Sequence, residues 1–343
     1  MRLADQSAKT SHSRASSPPE PDSTGLLGAL VGDGRSLLAL VALGLMLSGI
    51  FALFLSVTGT FLPHDVAFLG MEPGALCSLH QCRVVHFIFH DRVSFGGVLM
   101  AIGVLYLWLL AFPLRLGEAW AWWTILLSGS VGFLSFLTYL IYGYLDSWHA
   151  VATAALLPLF VAGIWKTRSL LPAQWESWRE LARPALPFVV GGRMGVGRAC
   201  LLVVGGGMAL AGATIAILGS TIVFVPQDIV YFGFTSAELN AINPHLIPLI
   251  AHDRAGFGGG LTCCGVMVMF LVWKARPSLA LWQALLAGGI FGFGCAIGVH
   301  YPMGYLSASH LAPAWIGAAI YAVGIFCLYP GSRAATLPSV SSV

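Results

Sequence analysis

The sequence predicts an all-α polytopic membrane protein, with eight transmembrane helices arranged as two tandem four-helix bundles related by internal duplication. Three observations carry that expectation. Hydrophobic residues make up 57% of the 343 positions and charged residues only 9%, against roughly 25% charged in soluble domains; mean hydropathy is +0.84. Eight apolar runs, at about 36–62, 94–114, 120–143, 148–165, 199–224, 256–274, 279–300 and 311–330, each approach the ~20 residues a helix needs to cross the hydrocarbon. Landmarks also recur in one order at offsets of 161 to 163: Pro63 and Asp65 with Pro226 and Asp228, His90-Asp91-Arg92 with His252-Asp253-Arg254, and Gly143-Tyr144 and His149 with Gly304-Tyr305 and His310. A shared order and offset is the signature of a repeat.

In chain order, residues 1–35 are polar and rich in Ser and Pro, and are expected to be a disordered cytoplasmic tail. The first repeat takes 36–165. A cytoplasmic linker, 166–198, contains Gln174 to Leu181, where Trp175, Trp178 and Leu181 share one helical face, as in an amphipathic helix lying on a leaflet. The second repeat takes 199–330, and 331–343 form a disordered cytoplasmic tail. Of the 17 Lys and Arg, 14 fall in the tails and the loops on their side; Arg83, Arg92 and Arg254 fall on the other. The positive-inside rule therefore puts both termini in the cytoplasm, and the expected location is a plasma membrane of the bacterial inner-membrane kind. The bilayer is the expected partner; a net charge of +3 with no basic tract excludes nucleic acid.

The outer loops between the first and second spans of each repeat run about 25 residues. In the second, Thr235-Ser236-Ala237-Glu238 has the form of a capping box, predicting a helix. The first carries Cys77 and Cys82, close enough in sequence for a disulfide on an oxidising face, structural or redox-active.

The repeated tripeptides place ionisable groups at the edge of apolar runs, where their cost usually marks function. On a helix, His90 shares a face with Ser94 and Gly97, and His252 with Gly256 and Gly259, leaving a groove for a flat macrocycle or another helix. His149 and His310 open the fourth span of each repeat, so His90 is expected to face His149, and His252 to face His310. Paired imidazoles across a four-helix bundle suit axial ligation of haem iron. The Asp-Arg that follows each histidine could instead form an ion pair capping the span. Asp65 and Asp228, with Asp91 and Asp253 beside the histidines, could fix imidazole tautomers, or join His64 or His90 in a Zn, Fe or Mn site.

Eight spans in two bundles, a histidine opening the second and fourth span of each, and a cysteine pair in the first outer loop resemble the haem A synthase family. Histidine spacings of 59 residues in the first half and 58 in the second are similar in kind. The resemblance implies one haem site at His90 and His149 and another at His252 and His310, Cys77 and Cys82 as the loop pair, and a haem substrate. Arg92 and Arg254 would then meet propionates at the outer surface. The chain departs from the family at Phe87, where the family has Glu, and at Asp91, where it has Arg. The expected function is a haem-binding membrane oxidoreductase. The alternatives are a His/Asp metal-dependent membrane enzyme using Zn or Fe, or a transporter of a small molecule or a non-catalytic integral protein.

Overall fold

The computed structural model describes Gly28 and residues 31–78, 80–137, 139–172, 181–187, 189 and 191–330. The two expected tails, apart from Gly28 and 31–35, and the Trp175–Trp178 face of the linker lie outside the described residues. Those described are helical and include no strand.

Among the described residues, eight helices are long and apolar enough to cross a membrane. They are α1 (Arg35–Thr58), α4 (Arg83–Ala111), α5 (Ala119–Phe136), α7 (Ser147–Thr167), α8 (Gly192–Gly219), α11 (Leu246–Lys274), α12 (Leu279–Gly298) and α14 (Ala308–Leu328). Six short helices gather at one end: α2 (Pro63–Leu69), α3 (Pro73–Cys77), α6 (Tyr139–Tyr142), α9 (Pro226–Phe232), α10 (Ser236–Ile242) and α13 (His300–Met303). Helices α2 and α9 each start on a proline, which lacks the N–H that a first turn leaves unused. Asp65 and Asp228 then reach back to the amides of Leu62 and Val225, at 3.1 and 2.8 Å. The capping box forms at α10, with Glu238 accepting from the Thr235 amide at 2.7 Å. Cys77 and Cys82 are joined in a disulfide.

Helices α4 and α11 begin about ten residues before the hydropathy edges at 94 and 256. Each repeated tripeptide therefore lies inside a long helix, buried, and not at its edge. The two helices lie against each other and are the most enclosed of the eight. Helices α1 and α12 flank α4, α8 and α5 flank α11, α7 lies on α1, and α14 lies on α8 and α12.

The long helices do not sort into one bundle per half, as the sequence led us to expect. The third span of each half crosses over: α5 packs along α11, and α12 packs along α4. The small residues beneath the histidines explain the exchange. A side chain at Gly97 would run into Cys295 and the Phe291 carbonyl of α12, and one at Gly259 into Ser135 of α5. The grooves seat helices, which approach where no Cβ intervenes.

Candidate metal-binding clusters

The short helices form a cap over the N-terminal ends of α4 and α11. Under it, Phe87, Phe232, Tyr144, Tyr305, Leu76 and Leu239 make an apolar layer distinct from the main core. Gly143 and Gly304 turn the chain with φ of +68° and +66°, a conformation that costs glycine little, and thereby carry Tyr144 and Tyr305 inward beside the charged tripeptides.

Arg92 holds Asp65 with both terminal nitrogens, at 2.6 and 3.0 Å, and Asp253 with Nε at 2.8 Å. Arg254 holds Asp228 at 2.5 Å and lies 3.4 Å from Asp91. All six side chains are buried, so each charge is met by an opposite one, as burial requires. The Tyr144 hydroxyl donates to Asp65, and that of Tyr305 to Asp228 at 2.7 Å. Burial, then the neighbouring carboxylate, pushes both phenols far up, so they remain donors. Burial works against the charge of Asp65, but Arg92 outweighs it and holds the carboxyl below its usual range.

These pairings revise four expectations. Arg92 and Arg254 are buried between carboxylates and are not surface groups available to propionates. Asp65 and Asp228 serve the arginines and tyrosines, not the paired histidines, although Asp65 also lies 3.5 Å from His64 and forms with it and Asp146 a further group that could hold an ion. Asp253 meets Arg92 and not His252. The Asp-Arg ion pairs run between helices rather than within one tripeptide. Of these four aspartates, Asp91 is the one that lies against a repeated histidine, 2.9 Å from His90 Nδ1.

The histidines come together across the two halves. His90 Nε2 lies 3.0 Å from His300 Nε2, with His310 beside both, its ring 5.8 and 5.2 Å from theirs. His149 Nδ1 lies 2.8 Å from His252 Nε2 and 3.2 Å from Asp146. The expected pairs, His90 with His149 and His252 with His310, do not meet, because the crossing of α5 and α12 brings α7 towards α11 and α14 towards α4.

In each trio, His90–His300–His310 and His149–His252–Asp146, one donor atom per residue lies within 4.8 Å of the others. Asp146 also caps α7, accepting from the amides of Trp148 and His149 at 2.8 and 3.1 Å. His64 lies 2.8 Å from it on the far side. Burial opposes the His64 cation, yet its hydrogen bond to Asp146 and the charges of Asp146 and Asp65 raise its pKa above the usual histidine value. Against a burial penalty, that bond and His149 hold Asp146 well below the carboxylate range. The Nδ1 atoms of His252 and His300 are buried without a hydrogen-bond partner among the described residues, an arrangement that costs energy unless a ligand supplies one.

With metal–nitrogen bonds of about 2.0 Å, two nitrogens on one tetrahedral ion stand about 3.3 Å apart, whereas axial ligands of a haem iron stand about 4 Å apart. The second case also needs a macrocycle between the rings. Separations of 3.0 and 2.8 Å with the rings in contact leave no such slot, so these pairs do not fit haem as trans ligands. They fit one small ion per trio after a shift of a few tenths of an ångström.

Sequence reasoning missed His300, which opens α13 just beyond α12 and has no histidine counterpart 161 to 163 positions earlier, so the repeat gave no signal. Asp146 was likewise given no role; the sign was its position three residues before His149, where an aspartate caps a helix. No protein-family model, curated protein or solved structure matches the chain.

Proposed function

We propose that the chain is an integral membrane metalloprotein, formed by duplication, that holds two non-haem metal ions near the non-cytoplasmic surface. The two would differ in character. Three imidazoles at His90, His300 and His310 suit Zn or Cu, whereas two imidazoles and a carboxylate at His149, His252 and Asp146 make the donor set of non-haem Fe(II) sites. The observation carrying this reading is the convergence of three donors in each trio. The apolar character of the eight long helices supports the membrane setting, and the distribution of Lys and Arg supports cytoplasmic termini.

Elemental analysis of the purified full-length protein tests it. Bound metal should fall by one equivalent in His300→Ala, by a different equivalent in His252→Ala, and by both in the double variant. Metal-free wild-type protein, or metal unchanged in all three variants, would refute the reading. A Soret band lost in His90→Ala would favour haem instead.

A further inference from the structure

An apolar cavity opens directly beside the His149–His252–Asp146 cluster. It is enclosed by α1, α4, α5, α7 and α11 and measures about 120 Å³, within about 890 Å³ of unfilled space that includes its open side. His149 and His252 stand at one end, and the walls run past Phe95, Leu99, Phe133 and Leu156 to Tyr106 and Cys263. The eleven-residue step from His252 to Cys263 along α11 makes the cavity about 16 Å long at 1.5 Å per residue. It is therefore elongated, and half as deep as a bilayer's hydrocarbon of about 30 Å.

Polar groups at the far end are satisfied locally. The Tyr106 and Ser128 hydroxyls bond each other at 2.8 Å, and Ser128 also bonds the Thr124 carbonyl at 2.6 Å. The imidazole end differs, because His252 Nδ1 is buried and unpartnered. An occupant must then be apolar along its length and polar at one tip. Asp146, 3.2 Å from His149, already supplies one carboxylate to an ion held there, so a neutral oxygen completes its donor set without a second anion.

We propose that this cavity binds a single-chain lipid amphiphile whose head is a neutral hydroxyl or carbonyl oxygen, placed against His149 and His252, with the chain running past Leu99 to Tyr106. The assignment takes that cluster as the metal site proposed above, and rests on that reading for the head group's binding. An oxygen lone pair would serve the ion there, while the chain replaces bulk lipid along the apolar walls.

The test is photolabelling of the full chain in lipid nanodiscs with a long-chain alcohol bearing a mid-chain diazirine, adducts being located by peptide mass spectrometry. Adducts should concentrate on the segments holding Leu99, Tyr106 and Leu156. They should fall about tenfold with unlabelled alcohol at ten times its Kd, and less with the fatty acid of equal length. Ala152→Phe, which fills the cavity, should abolish them, while non-specific adducts near the exposed Leu210 of α8 persist. Cavity adducts no denser than those at Leu210, or insensitive to competitor, overturn the proposal, and the competition arm needs no variant to fold. Equal competition by the fatty acid overturns the neutral head. Metal content is read on the same samples. Adducts lost from metal-replete protein count against the lipid alone, and saturable adducts on protein lacking metal count against the metal reading alone.

Discussion

Arg92 donates from Nε to a carboxylate 161 positions further along the chain, Asp253, at 2.8 Å. Its terminal nitrogens meanwhile hold Asp65 on the cap. One side chain thus ties α2, α4 and α11 together. Removing one partner of a buried pair strands the other charge, at a cost of about 3–5 kcal/mol. Arg92→Met should therefore lower stability by about that much, and Arg92→Lys by nearly as much, since an ammonium cannot serve two carboxylates in this fork geometry. Thermal unfolding in detergent reads both. A change of under ~1 kcal/mol in Arg92→Met, the size typical of an exposed pair, would mean the pair is not buried as described.

Asp91 fixes the His90 ring through Nδ1 at 2.9 Å, leaving Nε2 to face His300 and His310. Partners of this kind usually account for a factor of 10–100 in metal affinity. Asp91→Asn should weaken one of the two proposed ions by roughly that factor and leave the other unchanged, since Asp91 makes no contact with His149 or His252. Competition titration with a chromophoric chelator measures the two steps separately. Equal weakening of both would show that Asp91 acts on stability rather than on His90.

Gly258 of α11 sits against Gly212 and Ala216 of α8 so closely that a Cβ there would collide with backbone. Gly258→Val should cost about 1–3 kcal/mol, the range for overpacking a filled interior. Gly294 of α12 has nothing within 4 Å of where its Cβ would stand. Gly294→Ala should therefore leave the melting temperature unchanged or raise it slightly, since alanine is the better helix former. The contrast between the two is the measurement.

Tyr231 donates its hydroxyl to the Met303 carbonyl at 2.6 Å, and burial pushes its pKa up from 10 to about 12, against a smaller opposing effect of Arg83. A raised acid pKa stabilises the fold below the unfolded value, and that contribution is lost as pH rises through the folded one. Tyr231 should thus contribute fully below pH 10 and lose its contribution between about 10 and 12. Comparing the phenolate absorbance titration of Tyr231→Phe with that of wild type should show the missing step near 12; a missing step at 10 refutes the burial.

Composition and run lengths were enough to read eight long helices, because apolarity over some twenty residues is a local property. The starts of α4 and α11 were not legible. Hydropathy counts Asp91 and Arg92 as solvent-seeking wherever they stand, and the partners Arg254, Asp253 and Asp65 make them tolerable inside. The repeated histidines do fall at the end where buried His, Asp and Arg side chains gather, but their pairing failed for a topological reason. Short loops between successive helices imply neighbours, and nothing along the chain announces that α5 leans on the second half and α12 on the first. Gly97 and Gly259 were visible as grooves, and whether a helix or a ligand fills a groove is decided by a segment far away.

The crossing of α5 and α12 has a consequence for biogenesis. While only the first half has been synthesised, His149 waits for His252, Arg92 has Asp65 but lacks Asp253, and α4 has no α12 against its Gly97 face. Neither trio, nor the cavity beside them, exists in either half alone. A nascent chain must keep those polar groups provisionally covered until translation delivers α11 and α12, and separately expressed halves would acquire structure only by finding each other.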